Sequence, residues 1–163
     1  MKKNLIKFLT MESCYVIISM LKQKLTKFLI FTEEKMDKDL EEFTRKQMHK
    51  CLTAVGIYPN SEGYRHLTDC VSMATKNGGK KASVCHLYAE EAKNTNKKPC
   101  AVERAIRHSI GKGMEEGRFS ALNDIFGYRV YSEKYPLRSG ELIFLLASKI
   151  LSDYENISKT EYR

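Results

Sequence analysis

Apolar residues recur at helical spacing along most of this sequence, in segments that end at glycine, asparagine or proline, and this pattern constrains the fold most strongly. Residues three and four apart lie on one face of a helix, so each segment predicts an amphipathic helix. No segment shows the alternation typical of a strand. We therefore expect an all-α domain of six helices, at about residues 36–56, 61–77, 82–94, 99–110, 119–126 and from 139 onward.

The length and the charge set broad limits on function. A chain of 163 residues is about one domain long and can bury roughly two thirds of its unfolded surface. Lysine and arginine number 28 against 20 acidic residues, and the net charge of +8 favours polyanionic partners. Residues 1–35 hold half of that excess. The remaining body is only mildly basic, so an argument for nucleic acid depends on where its charges lie.

Residues 1–35 predict a basic, amphipathic N-terminal helix that precedes the six-helix domain at residues 36–163. The longest uncharged run, residues 13–21, is too short for a membrane span of about 20 residues, and no small-residue cleavage site follows it. Such a helix can lie on a membrane surface, pair with a second copy or pack on the domain, and we favour packing or pairing. Its apolar stripe consists of Cys14, Ile17, Ile18, Leu21, Leu25, Phe28 and Leu29.

A different interpretation of this segment is that translation starts at Met36. The peptide at residues 32–36, Thr-Glu-Glu-Lys-Met, can be encoded by a purine-rich run just before an ATG codon, which resembles a bacterial ribosome-binding site. The amino-acid sequence leaves both interpretations open, and the nucleotide sequence would separate them.

The cysteines and histidines do not form a recognisable metal or catalytic pattern. Five cysteines, without a C-x-x-C spacing, favour reduced thiols in a cytoplasmic protein. His66 and Cys70 share a helix face, but no second ligand pair accompanies them, so we predict no metal and no cofactor. The sequence has no glycine-rich phosphate loop, no H-E-x-x-H and no nucleophile elbow. We therefore predict no enzyme activity and no small-molecule substrate.

The third and fourth predicted helices, joined by a short polar turn at residues 95–99, form a candidate helix-turn-helix. The candidate recognition helix, residues 102–110, is followed by a turn-rich tail, GKGMEEGRF. Arginine presents a planar fork that bonds two acceptors, and a helix fits the DNA major groove. One face of this helix carries Val102, Ala105, Ile106 and Ile110, and the other carries Glu103, Arg104, Arg107 and His108.

These residues also carry a family resemblance. Residues 52–152 resemble the C-terminal DNA-binding domain of the master response regulator that starts sporulation in endospore-forming Firmicutes. The run VERAIRH at residues 102–108 is the most specific match, because it lies at the correct place in the helical pattern. The other landmarks, in order, are Gly56, Gly63, Tyr64, Leu67, Ser72, Met73, Leu87, Tyr88, Phe126, Gly127, Tyr128 and Glu141.

The resemblance implies a six-helix domain whose fourth helix enters the major groove at a TGTCGAA-like box. Glu103 and Arg104 match base-edge readers, Arg107 and His108 match residues at the base and backbone surface, and Cys100 replaces a serine beside them. The implied partners are double-stranded DNA, the polymerase sigma subunit and, on tandem sites, a second copy of the chain. The residues that match the sigma-contacting region are Glu115, Glu116, Arg118, Ser120 and Asp124.

Several positions depart from the family pattern. Ala101 stands where the family has a base-contacting arginine, so we expect altered or relaxed specificity. Gly111 and Gly113 replace helix formers, each at about 1 kcal/mol relative to alanine, and Glu91 and Thr95 stand where the third helix should be apolar. These residues predict a loosely packed helix-turn-helix. The receiver domain that precedes this domain in the family has no counterpart before Met36, so we expect no control by phosphorylation within this chain.

Two functions fit these observations. The first is a sequence-specific DNA-binding transcriptional regulator. The second is a protein-interaction module that keeps the fold, binds DNA weakly and acts on the full-length regulator or on RNA polymerase. Ala101, the two glycines and the modest charge of the body favour the second to some degree. A salt-dependent preference for box DNA over scrambled DNA would separate them.

Overall fold

The computed structural model describes residues 2–79 and 83–161, and within these ranges every regular element is an α-helix. The prediction of an all-α fold with a helix-turn-helix is confirmed. One isolated antiparallel bridge joins Ser132 and Tyr135. The six helices are α1 (Lys2–Ala54), α2 (Glu62–Lys76), α3 (Val84–Asn94), α4 (Pro99–Glu115), α5 (Ala121–Phe126) and α6 (Ser139–Glu161).

The chain divides into two compact units, Met1–Asp39 and Leu40–Arg163. Helix α1 is continuous from Lys2 to Ala54, so the predicted break between an N-terminal helix and a first domain helix is wrong. The reason is local, because residues 32–38 contain no glycine or proline that would end a helix. No helix among the described residues combines the length and the apolar character that a membrane crossing needs.

In the first unit, a row of large apolar side chains is exposed to solvent. Three predicted stripe residues, Cys14, Ile17 and Ile18, lie outside the residues whose side chains the structure describes. The other members of the stripe are between 52% and 63% exposed, and their neighbours Met20, Ile30 and Phe31 are exposed as well. The exposed stripe residues are Leu21, Leu25, Phe28 and Leu29.

The second unit has one hydrophobic core, with α2 and α4 at its centre. Helix α2 packs against α3, α4 and α6, while α4 packs against α2, α3 and α6. The end of α1 contributes Met48 and Leu52 to the same core. The largest fully buried side chains are Phe119, Met48, Leu52, Ile57, Leu67, Leu87, Ile106, Leu122, Leu142, Ile143, Leu146 and Ile150.

Two glycines allow close contact between helix α4 and its neighbours. A Cβ atom at Gly63 would clash with the carbonyl oxygen of Ala105 and with the Ser109 hydroxyl. At Gly113 it would lie 2.6 Å from the carbonyl oxygen of Val55. Glycine at these two positions lowers the intrinsic stability of the helix relative to alanine, but it lets a neighbouring backbone carbonyl come closer than an alanine Cβ atom would allow. Nothing lies within 4 Å at Gly111, so that residue keeps only the propensity cost.

One boundary differs from the prediction. Helix α4 continues through Gly111 and Gly113 to Glu115, so the first half of the tail predicted as a turn is helical. Helix α6, predicted from residue 139 onward, runs from Ser139 to Glu161. Helix α3 begins at Val84 after Ser83, and the predicted start at Ala82 lies outside the described residues.

Candidate nucleic-acid interface

The turn between α3 and α4 is fixed by the backbone. Asn96 has a φ of +53°, in the left-handed region that asparagine tolerates better than most residues. The amide of Lys97 donates to the carbonyl of Ala92 at 2.8 Å, which closes the end of α3 as in a Schellman motif. Pro99 then begins α4, where its missing N–H leaves no hydrogen bond unmade. The two helices are therefore joined by a tight, defined turn.

Helix α4 has the two faces that the sequence predicts. Val102, Ile106 and Ile110 are at most 4% exposed and belong to the core. Arg104, Arg107 and His108 are exposed to solvent, and the Arg107 side chain is 69% exposed. The helix thus presents its cations outward from a firmly buried apolar stripe.

The exposed basic residues form one row along α4. Arg104, Arg107 and His108 line a shallow surface depression of about 440 Å³, together with Gly111, Lys112 and Glu115. Our sequence reasoning missed Lys112, because we ended the helix at Ile110. Its signal was present, since Lys112 follows His108 by four residues and so lies on the same face.

Glu103 lies at the side of this face. Its carboxylate Oε1 is 3.8 Å from Arg107 Nη2, one helical turn later, and the Glu103 side chain is 43% exposed. An exposed pair at this separation contributes little to stability, so both side chains remain available to other partners. Cys100 and Ala101 are exposed in the first turn of α4. Ala101 therefore leaves a short, neutral surface in this turn.

Glu91, predicted to loosen the packing of α3, is instead paired. His66 on α2 lies with Nδ1 2.6 Å from Glu91 Oε1, and each of these side chains is at most 2% exposed. The Thr95 hydroxyl donates to the carbonyl oxygen of Glu91 at 2.7 Å. Both polar residues at the end of α3 therefore have hydrogen-bond partners, and the expected loose packing is wrong at these positions.

The environment of Cys70 also explains why His66 and Cys70 do not resemble a metal site. Burial raises the pKa of the Cys70 thiol to about 12, and the negative charges of Glu91 and Asp69 act in the same direction. A cysteine binds a metal as a thiolate, and burial favours the protonated thiol at Cys70. His66 has Glu91 as its hydrogen-bond partner, and the described residues include no group of three or more histidine, cysteine or acidic side chains suited to a metal ion.

The segment that we expect to contact the polymerase sigma subunit is a second exposed surface. All five of its named residues are exposed; they are Glu115, Glu116, Arg118, Ser120 and Asp124. Arg118 Nη1 donates to the Tyr58 hydroxyl at 2.9 Å, which ties this surface to the loop between α1 and α2. Sequence reasoning missed Tyr58, because 60 residues separate the partners and no local pattern connects them.

A tight turn between two packed helices, the second with an exposed row of cations, defines a helix-turn-helix domain of the DNA-binding class. The model of one protein family, described as sporulation initiation factor Spo0A C terminal, matches residues 48–150. Since this match covers more than half of the chain, the chain belongs to the Spo0A C-terminal family. Its members are DNA-binding transcription factor domains rather than enzymes.

Proposed function

We propose that this protein is a sequence-specific transcriptional regulator that binds a TGTCGAA-like box with α4 in the major groove. Arg104 is the main base reader, since its fork can bond the O6 and N7 atoms of guanine. Glu103 accepts from cytosine N4, while Arg107, His108 and Cys100 contact the edge of the site. The observation that supports this proposal best is the row of exposed cations on α4 opposite a buried apolar stripe.

The phosphate backbone is the expected partner of Lys112. Lys112 lies two helical turns beyond Arg104 and lines the same depression. Its flexible ammonium group can neutralise a phosphate without reading the base sequence. We also propose that the exposed surface at residues 115–124 contacts the polymerase sigma subunit, and that two copies bind tandem boxes. Because these boxes lie on the chromosome, the protein acts in the cytoplasm.

Replacing Arg104 tests the role of α4. Arg104→Ala should weaken binding to a box duplex by about 1–3 kcal/mol and reduce the preference for the box over a scrambled duplex. Arg118→Ala is the matched control, since it removes the same exposed side chain from the surface proposed to meet sigma. An equal loss of affinity for both duplexes would indicate that Arg104 contacts a phosphate and not a base. No loss of affinity for either duplex would contradict the assignment of α4 as the recognition helix.

The alternative function is an interaction module with weak DNA affinity, and Ala101 is the observation that favours it. The Ala101→Arg variant distinguishes the two. If α4 docks as we propose, an arginine in its exposed first turn adds a forked donor, and binding to the box should tighten by about 1–3 kcal/mol. Unchanged binding by a folded variant would favour the interaction module.

A further inference from the structure

The loop between α5 and α6, residues 127–138, lies beside the recognition helix and has its own charged surface. We name this segment the α5–α6 loop. A groove of about 1090 Å³ separates it from α4, and the groove is lined by Arg107 and Gly111 on one side and by Lys134, Tyr135 and Arg138 on the other. The loop and the cation row of α4 therefore border one continuous surface.

The α5–α6 loop is held in a defined shape. The Asn123 side chain accepts from the amides of Val130 and Tyr131 at 2.7 and 2.9 Å, and donates to the Tyr131 carbonyl at 3.1 Å. The Tyr131 ring packs on the buried Phe119 ring, with centroids 5.4 Å apart. One side chain thus makes three hydrogen bonds to the loop backbone, and an aromatic contact fastens the loop to the core.

The tip of the loop is a tight turn that directs cations outward. The Tyr135 amide donates to the Ser132 carbonyl at 3.0 Å, where the isolated bridge forms. Arg129 and Lys134 are exposed, and Tyr135 is 71% exposed. Lys134 Nζ lies 5.7 Å from the Tyr135 ring centroid, a distance at which the ring attracts the ammonium group.

The charge of the loop favours a polyanion over a protein partner. Residues 127–138 contain three cations, Arg129, Lys134 and Arg138, and one acid, Glu133. Lys134 and Arg138 line the same groove as Arg107, together with Glu103 and Glu141, and Arg107 also lines the depression that holds Arg104 and Lys112. Arg129 lies beside Lys134 on the loop's own surface. A rigid loop of this kind beside a recognition helix is placed to meet the phosphates that flank the site in the groove.

We infer that the α5–α6 loop is a second DNA contact, in which Arg129 and Lys134 bind phosphates just outside the box. This inference rests on the proposed function, in that α4 sets the position of the duplex. It predicts that the protein prefers a box duplex with flanking base pairs to a duplex cut at the edge of the box. Each neutralised phosphate should also make the slope of log K against log salt concentration more negative by about 0.9.

The test compares the full chain with the double variant Arg129→Gln/Lys134→Gln on four duplexes, box and scrambled, each with and without flanks. We expect the double variant to lose the advantage of the flanked duplex and to reduce the salt slope by about 1.8. Lys159→Gln, on the last turn of α6, is the control for removing a cation away from the α5–α6 loop. It should keep the advantage of the flanked duplex and, apart from the effect of one distant charge, the salt slope. Glu133→Gln, which removes the acid beside Lys134, should increase the advantage of the flanked duplex.

The outcomes separate this inference from the proposed function. If the double variant folds with an unchanged melting temperature and still prefers flanked duplexes, the loop contact is wrong, whatever happens at the box. A second outcome is that the preference for flanked duplexes depends on Arg129 and Lys134, while the protein binds box and scrambled DNA equally well. That result would support the loop contact and contradict sequence-specific binding. If neither Glu133→Gln nor the double variant changes binding, the inference is overturned.

Discussion

The imidazole Nδ1 of His66 lies 2.6 Å from the carboxylate Oε1 of Glu91, and this buried pair joins α2 to the first helix of the helix-turn-helix. On the far side of the ring, His66 Nε2 is buried and has no hydrogen-bond partner, although Glu62 Oε1 lies 3.9 Å away. Glu62 is itself paired with Lys97 in the turn before α4. A buried polar contact therefore links α2 to α3, and the pair of Glu62 and Lys97 links α2 to the turn before the recognition helix.

Removing Glu91 should destabilise the fold strongly. Glu91→Ala leaves His66 buried with both ring nitrogens unpaired, and we expect the free energy of unfolding to fall by about 3 kcal/mol or more. The double variant His66→Leu/Glu91→Leu, which removes both polar groups, should recover most of that loss. Urea unfolding measures each value. The control Glu90→Ala changes an exposed neighbour and should stay within about 0.5 kcal/mol of the parent.

The pair also predicts the pH dependence of stability. Burial raises the pKa of Glu91 above its ordinary value near 4.5, and the hydrogen bond with His66 opposes this shift only in part. Between the unfolded and the folded pKa of Glu91, the folded state binds more protons than the unfolded state. The contribution of Glu91 to the free energy of unfolding is therefore full below about pH 4.5 and falls as the pH rises through the folded pKa. In Glu91→Gln this decline should be absent. Parallel stability profiles for the two proteins above pH 4.5 would contradict the assignment.

Cys100 should be protected by DNA. It is exposed in the first turn of α4, Cys85 is exposed on α3, and Cys70 is buried with a raised pKa. N-ethylmaleimide should therefore label Cys100 and Cys85 in the free protein at neutral pH and leave Cys70 unlabelled. Box DNA should slow labelling at Cys100 and leave Cys85 as the internal control. Equal protection of both thiols, or of neither, would exclude α4 docking through its first turn.

The domain at residues 36–163 should fold without the segment before it. Thr44 is the first fully buried residue among those described, and the hydrophobic core begins at Met48. A chain that starts at Met36 should therefore unfold within about 0.5 kcal/mol of the full chain and bind a single box equally well. Sedimentation and anisotropy on both chains measure this. If the full chain is dimeric and binds paired boxes much more tightly than the chain that starts at Met36, this prediction is wrong. Residues 1–35 would then join two copies and raise the effective concentration of the second DNA-binding domain at the second box.

Local patterns were sufficient for part of this structure. The burial of Val102, Ile106 and Ile110, and the exposure of Arg104, follow from helical spacing alone. Helical spacing also predicted the six-helix fold and the turn before Pro99.

Contacts between distant residues were not accessible to that reasoning. His66 and Glu91 are 25 residues apart, and the reason for Gly113 is the carbonyl of Val55, just after the end of α1. The sequence showed Glu91 only as a charge at an apolar position. The continuity of α1 was missed for a different reason, because an acidic, regular first turn after Met36 resembled a helix start although nothing before it ends a helix.

The central claim is that α4 reads DNA sequence, and one fluorescence anisotropy titration tests it most directly. The full chain is titrated onto a labelled TGTCGAA-like box and onto a scrambled duplex of equal length, each at two salt concentrations. We expect the box to bind at least about tenfold more tightly at both concentrations, a difference of about 1.4 kcal/mol. Both affinities should fall with salt, because the cations of α4 and the loop neutralise phosphates. Equal, weak binding to the two duplexes would contradict sequence reading by α4.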